Sequence, residues 1–206
     1  MNSKSDKGAK MDIKEIKRLR ELTGVGITDA KRALEEAKGD FDTALAAMRK
    51  KGLTKAEKRG EREARAGVIS TYNHDSRIGV VVEVNCETDF VARNEIFTEL
   101  VKNLSMHIAA SSPLYVGEDD IPAAEKKKIK AEFSEKAKNE GKPADMLEKI
   151  VDGQVKKYFA EKCLLDQPYI KDTDISVGEY IKENIAKLGE NIVVRRFERL
   201  ALGEVS

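Results

Sequence analysis

The chain has 206 residues, of which 36% are charged and only 5% aromatic, a balance that favours helices with wet outer faces over a large β-sandwich core. Lys and Arg total 38 against 37 for Asp and Glu, so the formal net charge of +1 lends no support to nucleic-acid binding. No run approaches the roughly 18 consecutive apolar residues of a membrane span.

Residues 1–11 are polar and small without an apolar stretch, which predicts a disordered tail and not a secretory signal. Residues 12–52 carry three helical patterns. From Asp12 to about Leu22, the residues Ile13, Ile16, Leu19 and Leu22 make an apolar stripe. Gly24-Val25-Gly26 breaks the chain, and Thr28 is placed to cap a second helix with Ala30, Ala33, Leu34 and Ala37 on one face. Gly39 ends that helix. Asp40 caps a third, where Phe41, Ala44, Leu45 and Met48 repeat the spacing before Gly52 stops it. Residues 53–66 are dense in mixed charge and read as a helical or mobile linker.

The character changes at Gly67. Val68–Tyr72 and Arg77–Asn85 read as strands flanking turn chemistry at Asn73–Ser76. Beyond Thr88-Asp89-Phe90-Val91, Asn94 caps a helix whose stripe is Ile96, Phe97, Leu100, Val101, Leu104 and Ile108. Residues 122–163 predict a helical hairpin with its turn at Asn139–Pro143. The first arm, bearing Ile129, Phe133 and Ala137, is charged enough to project into water. Met146, Leu147, Ile150, Val151, Val155, Tyr158 and Phe159 mark the second. Ser176–Leu188 is a helix stopped by Gly189, and Ile192–Leu200 is a strand able to join the first two in an antiparallel sheet. The fold class is α+β: a three-helix module at 12–52, a linker, and a core at 67–206.

Catalytic constellations are missing from the sequence. There is no phosphate loop, no G-x-S-x-G, no H-E-x-x-H and no cluster of metal ligands. Cys86 and Cys163 lack CxxC spacing and read as reduced cytosolic thiols, with a bridge between copies as the lesser alternative. Thr88–Val91 stands out as a connection beside an apolar strand. Two readings stay open there: Asp89 as a cap or turn residue and Phe90 as a core plug, or a loop presenting an aromatic wedge beside a carboxylate. His107 is more simply a packed or exposed helix residue than a functional one. The runs Lys126-Lys127-Lys128 and Lys156-Lys157 read as solvated faces.

Several segments resemble one family. Thr23-Gly24-Val25-Gly26-Ile27-Thr28-Asp29-Ala30-Lys31-Arg32-Ala33-Leu34 is similar to the N-terminal signature of translation elongation factor Ts. Glu83-Val84-Asn85-Cys86-Glu87-Thr88-Asp89-Phe90-Val91-Ala92-Arg93 resembles its second signature. Arg77-Ile78-Gly79-Val80, Met106-His107-Ile108-Ala109-Ala110-Ser111, Gly141-Lys142-Pro143, Gln167-Pro168-Tyr169 and Asn191-Ile192-Val193-Val194-Arg195-Arg196 continue the series in the family's order. The resemblance implies a UBA-like N-terminal module and nucleotide exchange on elongation factor Tu, with no cofactor and no chemistry of the chain's own. It implies that Thr88, Asp89, Phe90 and Val91 dislodge the partner's magnesium ion. It further implies partner contacts at Ile27, Thr28, Lys31, Arg59, Ile78, Gly79 and His107. The chain looks like the compact, single-core form, whose members pair as dimers, so a homodimer is implied. The C-terminal contact module of longer members is expected to be missing. Asp29-Ala30-Lys31-Arg32 departs from the usual Asp-Cys-Lys-Lys, a change a small buried position tolerates. Three rivals remain: binding of ubiquitin-like proteins by the N-terminal module, RNA binding through the basic residues between 49 and 65, and, least favoured because nothing supplies a nucleophile with a positioned base, an unrecognised enzyme.

Overall fold

The computed structural model describes residues 13–141, 143 and 146–204; the expected tail at 1–11, the helix start at Asp12 and the turn residue Lys142 lie outside them. Helix α1 spans Ile13–Thr23, α2 Ile27–Glu36 and α3 Phe41–Arg59. The stripe on α1 is narrower than the spacing suggests, because Ile16, Leu19 and Thr23 are buried whereas Ile13 and Leu22 are exposed. Thr28 does not cap α2. Gly26 already has the extended backbone of an N-cap, so the chain turns helical at Ile27 and Thr28 falls inside the first turn. Asp40 caps α3 as expected, its Oδ1 accepting from the Thr43 N–H at 2.7 Å. Ile16, Leu19, Ala30, Ala33, Leu34, Ala44 and Met48 form the small core of this module.

Gly52 does not end α3. The helix continues to Arg59, because at Gly52 it crosses a later helix so closely that a Cβ there would lie 3.3 Å from the Ala186 Cβ. One turn further on, Ala56 is buried in the main core. The segment 53–66 is therefore helical for its first half and enters the sheet at Ala66.

Strands β1 (Ala66–His74) and β2 (Ile78–Cys86) form an antiparallel hairpin, with Asp75 and Ser76 both in the left-handed region at its turn. A last strand, β5 (Ile192–Ala201), pairs with β2 from the other side, giving the order β1-β2-β5. Val80, Val82, Val84 and Cys86 point to the covered face. They pack beneath α5 (Glu95–Ser111), which Asn94 caps by accepting from the Ile96 N–H at 2.8 Å. Phe97, Leu100, Val101, Leu104 and Ile108 are buried there, but Ile96 is exposed. Adjacent helical residues diverge by about 100°, and Phe97 takes the inward direction. Helix α8 (Val177–Leu188) completes the cover, contributing Val177, Ile181 and Ile185 to the same core.

The hairpin arms are α6 (Ala123–Asn139) and α7 (Leu147–Ala160). They are held by a cluster of their own, in which Ile121, Ile129, Phe159 and Cys163 are buried and Tyr115, Phe133, Val155 and Tyr158 pack around them. Met146 is exposed and takes no part in that cluster. A two-stranded hairpin of β3 (Pro168–Tyr169) and β4 (Asp172–Ser176) follows, too short to leave a readable alternation in the sequence. Cys86 and Cys163 are both free and buried. Burial pushes both thiols up, that of Cys163 to about 11, and neither is placed at the surface for a bridge between copies. Among the described residues no helix is long and apolar enough to cross a membrane.

Candidate partner-binding site

Where β2 ends, the chain makes a single helical turn, α4 (Asp89–Ala92), before α5 begins. Thr88, in extended conformation, is its N-cap, with Oγ1 accepting from the Val91 N–H at 3.3 Å. Asp89 is thus not the cap. Val91 and Ala92 fill the core side of the turn. Phe90 is not a core plug: it is 83% exposed, with Asp89 exposed beside it and Arg93 and Asn94 around them. Leaving a Phe in water forgoes about 2–3 kcal/mol of burial.

The turn is held by residues that the sequence reading passed over. Glu190, between α8 and β5, accepts at Oε2 from the Glu87 N–H at 3.1 Å and the Thr88 N–H at 3.0 Å. Its Oε1 accepts from the Thr88 hydroxyl at 2.7 Å. In return the Glu87 carboxylate accepts from the Asn191 N–H at 2.6 Å. The Asn191 side chain donates to the carbonyls of Gly60 at 3.2 Å and Arg62 at 2.7 Å. Glu87 and Asn191 both lie inside matched segments, whereas nothing in the sequence marks Glu190.

The other expected contact residues fall in two further places. Ile27, Thr28 and Lys31 are exposed on the first turns of α2, with Lys31 within 3.8 Å of Glu35. Arg59 turns inward, its Nη1 donating to the Ile185 carbonyl at 3.2 Å in the last turn of α8. Ile78 is half-buried and Gly79 exposed, both at the start of β2. That is about 26 Å along the strand from its Cys86 end, at roughly 3.3 Å per residue. His107 lies towards the same end, since the Ala109 carbonyl accepts from the Arg199 Nε at 3.3 Å and Arg199 sits opposite Val80. His107 is itself fully buried. Its Nδ1 accepts from the Ile170 N–H at 3.3 Å, so Nε2 carries the proton and donates to the Gln167 Oε1 at 2.9 Å. Burial lowers its pKa below the usual 6.5 and keeps the ring neutral, outweighing the hydrogen bond to Gln167.

A family model described as Elongation factor TS matches residues 53–204. A protein named elongation factor Ts from Moorella thermoacetica is 51% identical over 191 residues, covering 92% of this chain and 94% of its own length. Elongation factor Ts of Geobacter sp. (strain M21) is 49% identical over 191 residues, with 92% and 88% covered. That of Alkaliphilus oremlandii is 48% identical over 189 residues, again covering 92% and 88%.

Proposed function

The chain belongs to the elongation factor Ts family, a family of translation elongation, and from that premise we propose that it promotes nucleotide exchange on elongation factor Tu. It works in the cytoplasm by binding, with no reaction chemistry of its own. The observation that carries the reading is Phe90, 83% exposed on a capped and clamped turn with a carboxylate beside it. A GTPase holds GDP partly through a magnesium ion that bridges phosphate and protein. A factor that binds the nucleotide-free form more tightly weakens nucleotide binding by the same ratio. Each tenfold of weakening takes about 1.4 kcal/mol of differential binding. Phe90 enters the partner as a wedge, Asp89 disturbs the magnesium and phosphate site, and Thr88 and Val91 set their direction.

Ile27, Thr28 and Lys31 provide a second area of contact, Ile78 and Gly79 a third. Arg59 and His107, engaged inside the chain, serve these contacts by positioning, Arg59 at the end of α8 and His107 beneath the β3–β4 hairpin. The third area lies at the far end of β2 from Phe90, and the uncovered sheet face between them carries exposed Ile69, Val81 and Leu200. Both features support a homodimer in which the two copies offer different ends of the sheet to partners. Direct RNA binding through residues 49–65 is disfavoured by pairing within the chain. Arg49 meets Glu183 at 3.3 Å, Glu57 meets Lys182 at 3.1 Å and Arg62 meets Glu87 at 3.6 Å.

The test is release of a fluorescent GDP from purified elongation factor Tu in the presence of magnesium. Substoichiometric amounts of the full chain are expected to accelerate release. Phe90→Ala should fold with stability within about 0.5 kcal/mol of wild type, as exposed substitutions do, yet lose most of the acceleration. A Phe90→Ala protein that exchanges at the wild-type rate would remove the wedge.

A further inference from the structure

We propose that Glu190 is a positioning residue for exchange, presetting the turn that carries Asp89 and Phe90; the proposal rests on the exchange reading above. Glu87 and Thr88 lie just beyond the last rung of the sheet, where Cys86 pairs with Ile192, so no strand takes their amides. The Glu190 carboxylate takes both of them, at 3.1 and 3.0 Å, and the Thr88 hydroxyl at 2.7 Å. One carboxylate therefore satisfies three donors around the residue that caps α4.

The Thr88 hydroxyl is the pivot. By giving its proton to Glu190 it turns a lone pair towards the Val91 N–H, which it caps at 3.3 Å. Without Glu190 that proton has no fixed direction, and the cap and the two amides lose their common anchor. The fold has little else riding on this carboxylate. Val91 and Ala92 are packed in the core on their own account, and the β2–β5 ladder runs from Cys86 to the far end of β2, with one register shift between Glu83 and Val84, without calling on it. What Glu190 governs is the set of orientations open to α4. A turn ordered in advance enters the partner without a further ordering cost, and that cost belongs to the step that expels nucleotide. First encounter through the α2 face does not depend on it.

The experiment measures fluorescent-GDP release from elongation factor Tu over a range of full-length wild type, Glu190→Ala and Glu190→Gln. Glu190→Ala should lower the maximal release rate about tenfold, the scale of lost hydrogen bonds to a charged group, with the half-saturating concentration unchanged within about twofold. Glu190→Gln keeps a carbonyl oxygen for the two amides and should recover a substantial part of the rate. Amide hydrogen exchange read in parallel should quicken at Glu87 and Thr88 in Glu190→Ala while β2 stays protected. A Glu190→Ala protein with the wild-type maximal rate would overturn the assignment, as would a loss confined to half-saturation. So would a Glu190→Gln protein no better than Glu190→Ala, which also covers an alanine variant that fails to fold. If the wild-type chain accelerates nothing, the exchange reading itself falls, and it does so whatever the variants show.

Discussion

His107 is a buried side chain with both ring nitrogens in use, one accepting from Ile170 and the other donating to Gln167. Its pKa lies below the ordinary 6.5 because burial disfavours the charged ring. The unfolded chain takes up a proton near that ordinary value, whereas the folded chain resists it. The contribution to stability is thus complete above about pH 6.5 and is lost as the pH falls towards the lower folded value. Urea midpoints measured between pH 7.5 and 5.5 should decline below pH 6.5 in wild type. In His107→Gln they should start lower and lose most of that slope. A wild-type midpoint that is level across the range would mean the ring can be protonated in place. Phe90 shows the limit of sequence reading at this scale. Thr88–Val91 was legible as the segment to watch, but a four-residue helix has no periodicity, so nothing in its spacing says which side chain faces out. Tertiary neighbours decide that, and Glu190, about a hundred positions away, is one of them.

At the level of helices and strands, two of the three caps read from the sequence hold, Asp40 and Asn94, whereas Thr28 falls inside α2 and Ser176, which was not read as one, caps α8. A glycine was less reliable. Gly52 carries the composition of a helix stop, but the contact of α3 with α8 outweighs a propensity penalty of about 1 kcal/mol. Gly24 marks the same contact from α1, with a positive φ of 66° and a position where a Cβ would lie 2.7 Å from the Lys187 Cα. Gly39 has a φ of 85° but open space around it. Gly39→Ala should therefore cost only the backbone strain, about 1 kcal/mol, and Gly24→Ala should cost at least about 1 kcal/mol more because α1 must back away from α8. Chemical denaturation of the two variants separates the effects; equal losses would show that the α1–α8 approach contributes nothing. The β3–β4 hairpin stayed hidden because two residues in one strand and five in the other leave no alternation to count.

For the whole molecule, the sheet has one face under α5 and the other bare. On the bare face Ile69 is 66% exposed and Leu200 73%. If two copies meet there, light scattering should give twice the 22.9 kDa chain mass for wild type. Ile69→Glu combined with Leu200→Glu should reduce it to one chain without lowering the melting temperature of the subunit. A monomeric wild type at micromolar concentration would rule the pairing out. The overall class and the order of parts were legible from hydrophobic spacing, but how the parts are joined was not. Helix α3 gives Met48 to the small core and Ala56 to the large one. One continuous helix thus belongs to both bodies, and on the contacts proposed above the α2 face and Phe90 would meet the partner at the spacing that α3 sets. If α3 holds that spacing, any opening or closing that the proposed exchange requires falls to the partner.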